Sequence, residues 1–412
     1  MFFIQFLQSN ITSRIKALNK SSVLKMIYFY GPIKRSDMAE QLGLTMPTIT
    51  TNVNCLMAAG LVQEEQDEKL CSDSSRGRKA RPVDIIPDAR HYVGIEMQGS
   101  RRVICVQNFR GQTLYAAKDE TPCRDYERNM ELSCAMLREA MEACRLTLED
   151  VAGIGFCTPG LVNSQEGMLD TWPSYGWRNK NVRADLAALS GYAGPISVEN
   201  NACVRAYGVR LEQRGMLNEV PNFAYFFLSF GIACPFFLNT ANVVGSVVGA
   251  GEVGHMIMEP DGLPCSCGNR GCLEAYSSNA AVAARCAQAL EEGGAPILRG
   301  LCPDGTAPTM EHILAAQAAG DETVCQILDG AVRHIGVAIA NIINFSCPRI
   351  MFVDGVLFRE ERNQALLREV VNRNLCNVIH TDTEFIFVES HDFSGANGAA
   401  ALAIYNSLEN YT

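Results

Sequence analysis

One stretch, residues 252–274, constrains this chain more than any other: Glu252-Val253-Gly254-His255, then Cys265-Ser266-Cys267-Gly268-Asn269-Arg270-Gly271-Cys272-Leu273-Glu274. A histidine and three cysteines so closely spaced can close a tetrahedral Cys₃His site, the usual arrangement for structural zinc. His255, Cys265, Cys267 and Cys272 are therefore the expected ligands. Gly268 and Gly271 let the loop turn tightly, because glycine reaches positive φ without a steric cost. The plainer alternative is three ordinary thiols in a chain that has 17 cysteines among 412 residues.

Two carboxylates, Glu252 and Glu274, bracket the loop, and a purely structural metal site does not need them. They predict a polar pocket. A metal-bound imidazole keeps one ring N–H to give to a hydroxyl, and carboxylates accept protons from neighbouring hydroxyls. A sugar presents such a row of groups.

These residues resemble the ROK family (repressors, open reading frames and sugar kinases), whose signature contains Glu-x-Gly-His followed by Cys-x-Cys-Gly-x-x-Gly-Cys-Leu-Glu. Every letter is present, and the resemblance runs over most of the chain. It implies an α/β fold in which a two-lobed, actin-like ATPase domain of sugar-kinase type occupies residues 90–412. It implies zinc on His255, Cys265, Cys267 and Cys272, and sugar contacts at Asn200, Glu252, His255 and Glu274.

The bulk numbers are compatible with that reading. The length suits two or three domains, and 48% hydrophobic residues can fill their cores. Apolar runs such as Ala224 to Phe230 are too short for a bilayer, and Met1 to Leu7 lacks the basic start and cleavage site of a signal peptide. A cytoplasmic protein with no membrane partner is expected. The odd cysteine count, without a framework spacing, points to reduced thiols. Net charge is −10 but uneven: residues 1–90 hold 12 Lys+Arg against 9 Asp+Glu, the remainder 23 against 36. A modestly basic amino-terminal surface sits on an acidic chain.

That first segment, residues 1–89, reads as three helices and a hairpin. Residues 11 to 30 place Ile15, Leu18, Val23, Leu24, Ile27 and Tyr28 on an inward face, ended by Gly31-Pro32. Ser36 is the expected cap of a second helix that stops at Gly43. A third starts at Thr45, with Ile49, Val53, Leu56 and Met57 inward. Its other face offers Thr48, Thr50, Thr51, Asn52 and Asn54, small polar groups that suit a major groove. Strands near 61–65 and 83–86 flank a loop with Arg76, Gly77, Arg78, Lys79 and Arg81, thin and cationic enough for a minor groove. The pattern resembles a winged helix-turn-helix, and regulators of the family carry a similar Gly-Arg-rich linker. An ordinary tri-helical module with a solvated basic turn is the plainer reading.

Beyond residue 90 the resemblance also marks departures. Family kinases have Glu-Asn-Asp-Ala, whose aspartate is the general base; this chain has Glu199-Asn200-Asn201-Ala202. An amide has no useful basicity near neutral pH, so proton abstraction is lost, typically about 10² to 10⁴ in rate. The first phosphate turn, Asp-x-Gly-Gly-Thr in kinases, is Glu96-Met97-Gln98-Gly99-Ser100. The second, Gly-Thr-Gly-x-Gly, is Ser229-Phe230-Gly231-Ile232-Ala233, followed by Cys234-Pro235. Phosphate cradles need open backbone N–H groups, and Phe230 and Pro235 work against that. Asp354-Gly355 keeps one glycine where two are common.

The expected function is a sugar-responsive, DNA-binding transcriptional regulator, a repressor of carbohydrate-metabolism genes, whose kinase-like domain is not an enzyme. Its partners would be a double-stranded operator, a sugar or sugar derivative and a second copy of the chain, since such heads usually read two half-sites. Two alternatives remain: an ATP-dependent sugar kinase with a DNA-binding head, and a pseudokinase controlled by a protein partner.

Overall fold

The computed structural model describes residues 2–65, 81–99, 101–220, 222–238, 241–242, 248–302, 306–376 and 382–411, with side chains of the first helix from Arg14 onward. The chain forms two compact units: Met1–Asp170 with Asn179–Glu219 and Asp392–Thr412, and Thr171–Arg178 with Val220–His391.

The first unit opens with the helix Phe2–Tyr30. Val23, Leu24, Ile27 and Tyr28 are buried, but Ile15 and Leu18, expected inward, are 51% and 64% exposed. The described side-chain bonds and ring contacts of this helix lie toward its carboxy-terminal end, from Lys20 onward. The second helix is Arg35–Leu42 with Lys34 at the cap position; Ser36, expected as the cap, sits inside it and bonds Asp37 instead. Gly43 ends it at φ 62°. Thr45 caps the third helix, Met46–Ala58, by accepting from Thr48 N–H. Ile49, Val53 and Leu56 are buried there, whereas Met57, expected inward, is exposed. At 3.6 residues per turn, position i+8 has rotated about 80° from Ile49 and leaves the contact face. Strands Val62–Glu64 and Val83–Ile85 then pair antiparallel, and Arg35 reaches Glu64 at 2.7 Å to tie the second helix to them. Arg76, Gly77, Arg78 and Lys79 lie outside the described residues.

The rest of the first unit is a five-stranded sheet in the order Ile196–Asn200, Val151–Thr158, His91–Met97, Arg102–Asn108, Thr113–Asp119. The first two junctions are parallel and the last two antiparallel. The alanine-rich carboxy-terminal helix, Ser394–Glu409, crosses this sheet and packs on the helix Asn201–Glu212. Its approach is close enough that a Cβ at Gly94 or Gly155 would run into the carbonyls of Ala396 and Ala399. Small residues on both surfaces let helix and sheet meet backbone to backbone.

The three-helix segment is fastened to this sheet. Ser21 Oγ donates to Leu408 O at 2.7 Å, and Lys25 pairs with Glu409 at 2.9 Å. Asn218 donates to Phe29 O, Phe109 N–H to Pro87 O, and Arg110 pairs with Asp84 at 2.6 Å. The rings of Tyr28 and Phe109 lie 5.5 Å apart in the same seam. Arg210, only 3% exposed, points its guanidinium at the Phe29 ring, and its Nε has no hydrogen-bond partner among the described residues.

In the second unit the strands run Ala241–Asn242, Phe236–Leu238, Asn222–Leu228, Ile350–Asp354, Glu384–Val388, with Ile232–Ala233 also pairing Asn222–Leu228. Its longest helix, Glu322–Ser346, is long and apolar enough by length and composition to cross a membrane. Val324, Leu328, Val332, Ile335 and Ile339 of that helix are buried in the unit's core, the packing of an interior helix. Every described cysteine is a free thiol.

Candidate functional site

The metal-ligand set comes together. One donor atom from each of His255, Cys265, Cys267 and Cys272 lies within 4.8 Å of all the others. Cys267 Sγ and Cys272 Sγ are 3.7 Å apart, and Cys265 Sγ is 3.7 Å from His255 Nδ1. A tetrahedral centre with metal–sulfur bonds near 2.3 Å places its sulfurs about 3.8 Å apart, so these spacings fit the edges of one. The cluster can hold a metal ion. The backbone explains the convergence: Gly268 and Gly271 adopt φ of 95° and 77°, and a Cβ on Gly271 would also strike Glu259 O. Cys265 N–H donates to Asn269 O and Gly268 N–H to Cys265 O, which closes the turn. Nδ1 of His255 faces the cluster and leaves Nε2 for another partner.

The loop is held from behind by polar contacts that sequence reasoning missed. Tyr276 Oη donates to Glu259 at 2.9 Å and accepts from Leu263 N–H, while His334 stacks on Tyr276 at 4.7 Å and meets Glu259 at 3.3 Å. No local pattern links residues 259, 276 and 334; only the packing of Glu322–Ser346 on this loop region does.

Glu252 and Glu274 share one environment within the second unit. Burial, reinforced by the like charge of Glu274, pushes the Glu252 carboxyl up to about 7. Glu274 Oε2 faces Gly231 and Gly254, where a Cβ would stand 3.1 and 3.4 Å away. The backbones of Gly231 and the buried Gly254 thus lie close against this carboxylate.

Asn200, the fourth expected sugar contact, belongs to the first unit. Its Oδ1 accepts from Ala202 N–H at 2.8 Å, capping the helix Asn201–Glu212, and its Nδ2 donates to Gly160 O at 2.9 Å. The cap is therefore Asn200, with Asn201 the first helical residue. Beside it Glu199, unassigned from the sequence although it sits in the same run, is 6% exposed. It accepts from Ser164 Oγ and from Asn200 N–H at 2.8 Å each, yet burial outweighs both and pushes its carboxyl up to about 7.

The segments expected to have lost phosphate binding are occupied by protein contacts. Glu96 is fully buried and pairs with Arg205 at 2.9 Å, while Gln98 Nε2 donates to it at 2.7 Å. Arg205 also donates to Asn201 O. In the second unit Ser229 N–H turns inward to Gly231 O and Cys234 N–H is taken by Gly251 O. Asp354 accepts from both Tyr225 and Ser390 at 2.6 Å.

On the third helix Thr51 and Asn54 are exposed, and Thr48, Thr50 and Asn52 half-buried. Thr48 and Asn52 spend part of their bonding locally: Thr48 Oγ1 meets Thr45 Oγ1 at 2.9 Å and Asn52 Nδ2 donates to Thr48 O. Arg81 is exposed at the start of the return strand.

Residues 92–406 match the ROK family. The chain belongs to that family. The xylose repressor of Bacillus subtilis (strain 168) is 26% identical to it over 341 residues, 82% of each chain. The DNA-binding transcriptional dual regulator NagC of Escherichia coli (strain K12) is 25% identical over 397 residues, 94% of this chain and 92% of NagC. A solved ROK family transcriptional regulator, a homolog of the E. coli MLC protein, superposes with a TM-score of 0.78 at 24% identity, covering 96% of this chain and 97% of its own. ROK sugar kinases are also structural neighbours, in keeping with an actin-like α/β fold. NagC and the solved regulator each cover more than the family span and the few residues after it can supply. Both matches therefore take in residues of the three-helix segment.

Proposed function

We propose that this ROK protein is a sugar-responsive transcriptional regulator, a repressor, whose amino-terminal segment is a winged helix-turn-helix and whose kinase-like region senses a sugar without phosphorylating it. The observation that carries the reading is the reach of the regulator matches into the helical segment before Tyr92. Thr48, Thr50, Thr51 and Asn52 would meet the major groove, and Arg76, Gly77, Arg78, Lys79 and Arg81 the minor groove. Glu252, His255 and Glu274 would be sugar contacts of the second unit and Asn200 one of the first. His255, Cys265, Cys267 and Cys272 would hold zinc, which supplies a rigid loop and fixes the His255 tautomer so that Nε2 can donate.

Loss of phosphoryl transfer is supported by Asn201 at the base position, by the Glu96–Arg205 pair and by the bonded amides at the phosphate segments. The names of the relatives suggest xylose or N-acetylglucosamine as the first effectors to try. A sugar that binds the DNA-competent and DNA-free states unequally shifts operator affinity by that difference, and about 1 to 3 kcal/mol suffices. A cytoplasmic homodimer fits the role, since two half-sites are usually read together.

The deciding experiment measures affinity for promoter DNA of carbohydrate genes with and without each sugar, and with Mg-ATP in parallel. Sugar-dependent DNA affinity without ATP turnover supports the reading. Phosphorylated sugar as a product would favour a kinase bearing a DNA-binding head, a reading supported by the kinases among its structural neighbours. DNA binding indifferent to every sugar would defeat the sensor role.

A further inference from the structure

The carboxylates Glu252 and Glu274 of the second unit have an exposed aromatic residue near them in the fold. Phe230 is 79% exposed, although a phenylalanine side chain is ordinarily stabilised by burial in a core. It sits in the turn between the strands Asn222–Leu228 and Ile232–Ala233. This turn is fixed rather than loose: Ser229 N–H donates to Gly231 O, Asn279 N–H donates to Ser229 O, and Leu228 pairs with Ile232. The next residue, Gly231, borders the Glu274 carboxylate so closely that an added Cβ would lie 3.1 Å from Oε2. On the other side Gly254 has room for no side chain, a Cβ there meeting Ile232 O at 2.6 Å. A phenyl ring is therefore carried into solvent on a fixed backbone turn, one residue from the glycine that borders the Glu274 carboxylate.

We infer that Phe230 is a specificity-determining residue for the effector, an apolar platform on which one C–H face of a sugar ring rests while Glu274 and Glu252 take its hydroxyl edge. The inference rests on the sugar-sensor reading and names the ligand more narrowly. Ring sugars are two-sided: hydroxyls project from the edge, while a face carrying axial hydrogens is apolar. A ligand with both parts satisfies a pocket that is charged on one side and aromatic on the other, and covering the exposed ring adds a hydrophobic gain that two carboxylates alone do not offer. Sugars that place an axial hydroxyl on the stacked face should be discriminated against, because that hydroxyl would be desolvated against the ring without a partner.

The test is calorimetric titration of D-xylose, N-acetyl-D-glucosamine, D-glucose and D-galactose into wild type, Phe230→Ala and Phe230→Trp. Because the side chain is exposed, both variants should melt without ligand close to wild type. For whichever sugar binds wild type, Phe230→Ala should weaken affinity about tenfold, and Phe230→Trp should keep or improve it. Unchanged affinity in Phe230→Ala, or equal loss in Phe230→Trp, overturns the platform while leaving the sensor intact. A wild-type protein that binds none of the four, in a preparation that melts cooperatively, overturns the platform together with the sensor reading as applied to these sugars.

Discussion

Replacing Glu199 by glutamine should flatten the pH dependence of stability in the first unit. In the folded chain burial holds this carboxyl at about 7, against an ordinary 4.5, despite donors from Ser164 and Asn200. Below 4.5 the group is neutral whether folded or not, and its stabilising contribution is fully present. Between 4.5 and 7 the unfolded chain releases its proton while the folded chain keeps it, so stability falls as pH rises; above 7 the loss is complete. At about 1.4 kcal/mol per pH unit the total is roughly 3 kcal/mol. Glutamine is neutral throughout and nearly isosteric, so the wild-type slope should vanish from the difference between the two proteins. Differential scanning calorimetry from pH 5 to 8 reads this directly. The variant's transition for this unit should run above wild type at pH 8 by about 5–10 °C and approach it at pH 5. Parallel curves across that range, or a variant less stable at pH 8, would refute the assignment of a buried, proton-holding carboxyl.

Other outcomes follow from the same structure. Arg210→Met removes a buried guanidinium whose Nε has no partner among the described residues and which burial biases toward losing its proton, so stability should hold or rise by about 1–2 kcal/mol in urea unfolding; a loss of that size would mean that the contact with Phe29 outweighs desolvation. Cys267→Ser should abolish stoichiometric zinc in elemental analysis and lower the melting of the second unit, and chelation of wild type should do the same; a metal-free variant with unchanged melting and sugar response removes the metal assignment. Arg81→Ala should weaken operator binding and reduce the salt slope by about 1, whereas Thr51→Ala should change sequence preference; an unchanged affinity and slope in Arg81→Ala would take that residue out of the minor groove.

Much of this was legible in the chain itself wherever function resides in residues close together in sequence. The Cys₃His cluster closes within one loop whose glycines must take left-handed φ, so spacing alone specified which four side chains meet. Helix ends at Gly43 and Thr45 were readable for the same reason, since a cap is a contact between near neighbours. Periodicity was less reliable at its margins. Ile15, Leu18 and Met57 fit an apolar repeat, but whether a stripe is covered depends on what other elements bring to it.

Only the tertiary structure decided the long-range matters. Glu96 reads as a relic of a phosphate turn until the helix Asn201–Glu212 delivers Arg205 to it from more than a hundred residues away. Glu199 reads as one letter of a motif until burial raises its proton affinity. The three-helix segment reads as a separate module, yet Ser21, Lys25, Tyr28 and Asp84 join it to the sheet and to the last helix through Leu408, Glu409, Phe109 and Arg110. Local sequence determines backbone preference and nearby ligation. Desolvation and ion pairing depend on which distant surfaces share a space, and folding alone establishes that.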